Sequence, residues 1–347
     1  MRAAFLASPG TPLRVRVDDS ERPTCPPGWR RVRVLACGVN RLDLLMAEGQ
    51  VNTEPWPHIP GSEVCGELID GGDLPAGLAA GQLVAIAPYL FCGQCDFCLA
   101  GEETVCLRGD ILGMRSQGGY AEEVCVPAHS LLPVPAGLTA IDVAALVLAA
   151  ATAWHMLIGK GGLRAGETVL VQAAGSGVGS AAVQIARLSG ARVIATAGSD
   201  AKLDAARALG ADDAVNYLRD DVASEVRRLT ARRGVDMVVE HVGAETWPAS
   251  VASCARNGRI VTCGATTGRA VQTDLWQLFA KQLQCIGVYG ARRTDVKAVL
   301  GLAAAGKLRS VVDRTYPLDD ANAALDRLAQ RQQFGKIVLD VVSSGGV

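Results

Sequence analysis

The sequence lacks an excess of charge, a long apolar run and any internal repeat. Its 34 Lys+Arg face 35 Asp+Glu, a formal net charge of -1. That balance gives no electrostatic footing for a nucleic acid or an anionic membrane as partner. The longest apolar stretch, Val143 to Ala153, is Ala-rich and too short to span a bilayer. Met1 to Pro12 has no apolar core behind its single Arg2, so it does not read as a signal peptide, and a cytoplasmic setting is expected. No low-complexity linker interrupts the chain.

What is present points to a folded protein of about two domains. The chain has 347 residues, 49% hydrophobic and 20% charged. It has 11 cysteines, an odd number. Without a secretion signal the expectation is reduced thiols, with clustered cysteines reading as metal ligands. Cys25, Cys37, Cys65, Cys125, Cys254, Cys263 and Cys285 are scattered, mostly in apolar runs, and read as core packing.

The first third has short Val/Leu runs, Arg31–Ala36, Glu63–Ile69 and Gln82–Ala87, separated by turn signals such as Asp70-Gly71-Gly72. This predicts a β-rich domain. From Thr168 onward strands alternate with helices. The strands read as Thr168–Ala173, Arg192–Ala197, Ala214–Tyr217, Val235–Val242, Arg259–Gly264 and Gln284–Tyr289. Near-continuous apolar strands between helices imply an α/β, doubly wound parallel six-stranded sheet. A helix at Asp295–Ala305, a turn, a helix at Asp319–Arg331 and a strand at Lys336–Val341 complete the chain. That tail is too short for its own core. The expected division is therefore 1–149 with 289–347, carrying a cysteine lobe at 91–107, and a dinucleotide domain at 150–288.

Ala173-Ala174-Gly175-Ser176-Gly177-Val178-Gly179 follows the first of these strands and opens an Ala-rich helix. Glycines let the backbone turn tightly against a pyrophosphate, and the helix N-terminus favours its charge. The spacing is G-x-G-x-G, which alone would also fit a plain tight turn. Between a strand and a helix it predicts cofactor contacts at Ala174, Gly175, Ser176, Gly177 and Val178. The second strand ends at Ala197, where an acid would bind the ribose of NAD. Gly198, Ser199 and Lys202 follow, while Asp200 reads as a helix N-cap. With no acid to repel a 2′-phosphate, and with a hydroxyl and an ammonium nearby, NADP(H) is expected. Lys202 also reads as an ordinary solvated helix lysine.

Cys92, Cys95, Cys98 and Cys106 form C-x2-C-x2-C-x7-C. Four thiolates from one short loop match a closed tetrahedral zinc site, structural rather than catalytic. An iron–sulfur cluster is the alternative.

Taken in order, Gly38-Val39-Asn40 with Asp43, Pro60-Gly61-Ser62-Glu63, the four-cysteine lobe, Gly118-Gly119-Tyr120-Ala121-Glu122, Thr152-Ala153-Trp154, the Ala173–Gly179 turn and Gly335-Lys336-Ile337-Val338 resemble the medium-chain dehydrogenase/reductase superfamily. The resemblance covers essentially the whole chain. It implies a GroES-like β-rich catalytic domain and a Rossmann domain. The zinc alcohol dehydrogenases of that superfamily hold a catalytic zinc with Cys, His and Cys. Those positions carry Asn40, Ser62 and Leu148 here, and the proton-relay hydroxyl is replaced by Leu42. Asn in the first place is similar to the quinone reductase branch. Cys37, His58, Glu63 and Cys65 have the residue types for a rebuilt zinc site, but nothing fixes their geometry. His58 reads as a loop residue beside Pro57 and Pro60, and His155 as a packed helix histidine.

By the same resemblance Asn40 and Ser62 line the substrate cleft and bond a carbonyl oxygen, and Thr152 lies near the nicotinamide. Asp43 and Glu63 orient neighbours. Tyr217 contacts the adenosine phosphate, and Lys336 reaches the pyrophosphate. Without a Lewis acid the accessible chemistry is NADPH-dependent reduction of a quinone, enone or similar activated acceptor, with one structural zinc held elsewhere. The alternatives are an alcohol dehydrogenase with a relocated metal and a non-catalytic NADPH-binding protein. A small-molecule substrate is expected, and by analogy a homodimer or homotetramer.

Overall fold

The computed structural model describes residues 1–8, 14–53, 55–69, 74–75 and 77–342. The Asp70-Gly71-Gly72 turn signal and part of the Met1–Pro12 segment lie outside the described residues. The chain divides into two compact units, Met1–Ala151 with Ala291–Val347, and Thr152–Gly290. Among the described residues no helix is long and apolar enough to cross a membrane.

The first unit is built on the strand Trp29–Val39, long enough to serve three neighbours. It pairs antiparallel with Glu123–Pro127 through its first half, with Glu63–Leu68 along most of its length, and with Lys336–Asp340 at its end. Leu83–Ile86 and Leu131–Pro133 extend the sheet on one side, and Val312–Pro317 lies parallel to Lys336–Asp340 on the other. The tail thus adds two strands to the first unit. Its register sets Ile337 opposite Val39, so Lys336 arrives beside Asn40. Val32, Val34, Val64, Val84 and Ile86 are fully or almost fully buried, which is why these strands hold despite intervening arginines.

The second unit is one parallel sheet in the order Asp213–Asn216, Arg192–Ala197, Thr168–Val171, Val235–Glu240, Cys254–Thr262, Gln284–Gly287. Val169, Leu170 and Val171 in the middle strand have no exposed surface. Burial on both faces explains the unbroken apolar reading of these strands. Strand order reverses between Thr168–Val171 and Val235–Glu240, the switch point at which ligands bind in such sheets.

Several features differ from the sequence reading. The expected turn after residue 305 contains the strand Val312–Pro317, hidden because Arg314 and Thr315 are exposed. A short helix, Leu275–Ala280, is additional, since six residues carry too little periodicity to be read. The strand read as Arg259–Gly264 begins earlier, at Cys254, directly after the helix Trp247–Ser253, and ends at Thr262. Cys25 and Cys125, read as packed thiols, are joined in a disulfide across a separation of 100 residues. The strand Glu123–Pro127 runs beside the chain entering Trp29–Val39, and that long-range pairing leaves no mark on either local sequence.

Candidate functional site

The cysteine lobe is a short loop with two helical turns, Asp96–Leu99 and the 3-10 turn Glu103–Val105. Its four Sγ atoms all lie within 4.8 Å of one another. Cys95 and Cys98 are 3.5 Å apart, and Cys92–Cys98 and Cys95–Cys106 are each 3.9 Å apart. A tetrahedron with zinc–sulfur arms of about 2.3 Å has edges of about 3.8 Å, so the donor set fits zinc closely. The backbone amides of Cys92 and Arg108 point at the Cys106 sulfur, at 3.3 and 3.4 Å. The Gln94 amide leads in drawing the Cys92 thiol down to about 5. Among the described residues this is the one group of three or more His, Cys, Asp or Glu whose ligand atoms converge. Cys37, His58, Glu63 and Cys65 do not gather. His58 lies outside the named strands and helices, as a loop residue, and is wholly buried, with Nε2 2.8 Å from the Gly113 carbonyl.

Pro60–Glu63 and Gly118–Glu122, two separate pieces of sequence, are stitched together. The amides of Gly118, Gly119 and Tyr120 donate to the carbonyls of Ile59, Gly61 and Pro60, at 2.7, 2.8 and 3.0 Å. A Cβ on Gly118 would stand 2.4 Å from the Gly61 oxygen, so only glycine permits that approach. Asp43 accepts from the Asn40 amide at 2.7 Å and from the Tyr120 hydroxyl at 2.9 Å. Burial pushes Asp43 up to about 6 against these bonds. Asp43 thereby ties the Asn40 backbone amide to the Tyr120 hydroxyl.

Next to it lies a network the sequence did not disclose. Glu63 has no exposed surface and Lys336 has 5%. Lys336 Nζ is 2.6 Å from Glu63 Oε2, and it donates to Asn40 Oδ1 and the Val39 carbonyl, both at 2.7 Å. The other Glu63 oxygen accepts from the amides of Leu148 and Ala149, at 2.8 and 3.0 Å. Lys336, assigned above to the pyrophosphate, is therefore corrected. A buried ammonium requires partners, and these three use all its hydrogens.

Asn40 is corrected as well. An ammonium has only hydrogens to give, so the amide atom facing it must be the oxygen. That fixes the amide. Both Nδ2 hydrogens then go to the Gly38 carbonyl and Glu63 Oε2, at 3.1 and 3.2 Å. None remains for a ligand. Ser62 is the opposite case: it is fully buried and its Oγ makes no hydrogen bond. Of the two polar side chains at the ligand positions, the hydroxyl is the one with a hydrogen to offer. Leu148, at the third position, is half-buried.

In the second unit, Ser176 caps the helix Gly177–Leu188, its Oγ accepting from the Gly179 amide at 2.8 Å. A Cβ on Gly179 would meet the Ala173 oxygen at 2.4 Å. That glycine lets the helix sit close on the strand, and Ala173 itself adopts a left-handed φ of 47°. Ala174 is buried, and Gly175, Ser176, Gly177 and Val178 follow on one turn, so the first helix amides open toward an anion as a pyrophosphate requires. Ser199, not Asp200, is the N-cap of Asp200–Ala208, accepting from the Lys202 amide at 3.4 Å. Asp200 instead accepts from Asn216 and pairs with Arg219. Tyr217 is brought to this turn, since a Cβ on Gly198 would stand 2.7 Å from its hydroxyl. Thr152 is buried in the helix Ala149–Trp154, and His155 follows it, also buried. The sequence reading missed His241. Its Nε2 is 2.9 Å from Ser176 Oγ, beyond reach of any local pattern at a separation of 65 residues.

Residues 26–136 match the family described as "Alcohol dehydrogenase GroES-like domain", and residues 177–305 match "Zinc-binding dehydrogenase". An NAD-dependent alcohol dehydrogenase of Saccharolobus solfataricus is 31% identical over 349 residues, covering 98% of this chain and 99% of that protein. An acryloyl-coenzyme A reductase of Metallosphaera sedula is 31% identical over 301 residues, covering 86% and 87%. A crystal structure of an NAD-dependent alcohol dehydrogenase matches with a TM-score of 0.94 at 42% identity, over 98% of this chain and 100% of the other. The chain belongs to the medium-chain dehydrogenase/reductase superfamily, and it is an oxidoreductase.

Proposed function

We propose that the protein reduces a conjugated acceptor, a quinone, enone or related carbonyl compound, with NADPH and without a catalytic zinc. One observation carries the reading. Where relatives of the zinc type would present Cys, His and Cys, this chain has Asn40 closed into a pair with Lys336 and Glu63, Ser62 with an unused hydroxyl, and apolar Leu148. Such a set offers no thiolate or imidazole to a cation, but it does offer a hydrogen bond to an oxygen.

The nicotinamide, when bound, supplies the hydride. With an enone that hydride would go to the β-carbon, and the charge would gather on the carbonyl oxygen. Ser62 donates to that oxygen as charge grows on it. Asn40 is a positioning residue, keeping Lys336 and Glu63 paired beneath. Solvent supplies the proton that completes the α-carbon. A neutral donor to a charged oxygen contributes about 1.5–3 kcal/mol, enough for an acceptor that already spreads charge over its π system. A simple alcohol would have to lose its proton first, which a neutral hydroxyl assists little.

Ala197 in place of an acid, with Ser199, Lys202 and Tyr217 around the same turn, supports NADPH over NADH. The Metallosphaera relative is named an acryloyl-coenzyme A reductase, a name that fits the acceptor class. The other two proteins are named NAD-dependent alcohol dehydrogenases, and that is the second reading. A zinc-holding cysteine lobe would need reduced thiols, which favours a cytoplasmic setting, whereas the Cys25–Cys125 disulfide weighs against it. The open edge strand Gln284–Gly287, with exposed Leu275, Trp276 and Phe279 nearby, favours a second copy of the chain as partner. The solution mass would then be that of two or four chains.

Steady-state assays decide the chemistry. Ser62→Ala should lower enone turnover about ten- to a hundredfold with little change in NADPH affinity. Rapid ethanol oxidation, lost on metal removal and restored by zinc, would sink the zinc-free reading.

A further inference from the structure

Ser176 and His241 meet at the switch point of the second unit's sheet. Ser176 belongs to the turn after Thr168–Val171, and His241 directly follows Val235–Glu240. His241 has 8% exposure, and its Nδ1 is buried without a hydrogen-bond partner. The adjacent Glu240 is not that partner. Its carboxylate accepts from the amides of Val242 and Gly243 at 2.7 and 3.1 Å, from Thr246 at 2.9 Å, and from Ser250 at 2.6 Å. Cys263, whose amide bonds the Glu240 carbonyl, is pushed up to about 12 by burial and stays a neutral thiol.

The Ser176 hydroxyl has one hydrogen and two lone pairs. One lone pair takes the Gly179 amide hydrogen, at 2.8 Å. Two arrangements of the 2.9 Å bond to His241 remain. Either Ser176 donates to a bare Nε2, and no hydrogen is left for an anion, or Nε2–H donates to the second lone pair. In the second case the Ser176 hydrogen turns outward over the helix N-terminus, where an anion is favoured. An anion there selects the second arrangement.

We propose that His241 is a positioning residue for the cofactor's diphosphate, acting through Ser176 by turning its hydroxyl hydrogen onto a phosphate oxygen. This rests on the nicotinamide-cofactor reading above and extends it to a residue outside the glycine turn. The proton count has a consequence. Burial holds the free imidazole below its usual value, with the Glu240 charge opposing. A bound diphosphate favours the charged form, so the pKa rises on binding. Affinity is then highest below the free value and declines as pH climbs through the bound value. Binding takes up protons in between.

The probe is ADP-ribose, which has the diphosphate but no group of its own titrating near neutrality. It is measured by calorimetry in two buffers of different ionisation heat, with adenosine as the control lacking phosphate. Ser176→Ala and His241→Phe should each weaken ADP-ribose about ten- to a hundredfold and leave adenosine unchanged. The double variant should lose no more than either single one. His241→Gln keeps an N–H donor, so it should retain much of the affinity but show neither proton uptake nor a pH slope. Unaltered ADP-ribose affinity in His241→Phe, additive losses, or a wild-type pH slope in His241→Gln would overturn the inference and leave the cofactor reading standing. Failure of the wild type to bind ADP-ribose would overturn both.

Discussion

Replacing Lys336 by Met tests whether the ion pair beside Asn40 is as buried as the structure places it. The substitution keeps most of the side-chain volume and removes the charge. Glu63 would keep Leu148 N, Ala149 N and Asn40 Nδ2 as donors but lose its counter-ion at 2.6 Å. The carboxylate has no exposed surface, so water cannot replace that ion. Removing one partner of a buried pair costs roughly 3–5 kcal/mol. For a unit of this size that is a drop of roughly 6–20 °C in unfolding temperature. The cost should depend on pH in a definite sense. With the ammonium gone, taking a proton relieves the carboxylate, and acid favours that. The gap between wild type and Lys336→Met should therefore narrow as pH falls from 8 toward 5. Glu63→Gln added to Lys336→Met should recover part of the loss, and Lys336→Arg should lose less than Lys336→Met. Thermal unfolding followed by calorimetry across that range is the assay. A loss under about 1 kcal/mol at pH 8, with a gap that does not move with pH, would refute a buried charge pair.

Purified protein should carry about one zinc per chain by elemental analysis, and Cys98→Ser should lower it while leaving ADP-ribose binding intact; two tightly held zincs would contradict this. Ala197→Asp should reverse a preference for NADPH over NADH, read by fluorescence titration, because a carboxylate repels the 2′-phosphate; a wild type that already prefers NADH would remove the premise. Denatured in chelator without reductant, the protein should show nine titratable thiols, since Cys25 and Cys125 are joined; a count of eleven would mean that the pair is reduced. If the bridge is present, Cys125→Ser should cost several kcal/mol, as expected for closing so long a loop.

The parallel sheet was legible because burial on both faces writes itself into the sequence. Residues 169–171, 193–195 and 237–239 are apolar without alternation, and helices lie between them. The cysteine lobe was legible for a related reason, since its four ligands, Cys92 to Cys106, fall within one short stretch of chain. What escaped has one physical character. The strand Val312–Pro317 is partly exposed, so its pattern is polar, and its place in the sheet comes from Lys336–Asp340. The Cys25–Cys125 bridge, the Lys336–Glu63 pair and the Ser176–His241 bond each join residues far apart in the chain. No window on the sequence contains both partners.

The residues at the ligand positions show how far residue type alone carries an argument. Asn40 and Ser62 look equivalent as letters, two small polar groups able to donate to an oxygen. Hydrogen counting separates them. Lys336 fixes the Asn40 amide, and Gly38 and Glu63 then take both amide hydrogens. Ser62 has no competing acceptor, so its hydrogen stays available. The difference is made by Lys336, which sits far downstream on the tail strand. An Asn40→Ala change and a Ser62→Ala change should therefore fail differently. The first should lower stability by unpairing the Lys336–Glu63 surroundings, and through them lower activity. The second should lower turnover while the protein unfolds at nearly its normal temperature, because no folded-state bond is lost with that hydroxyl.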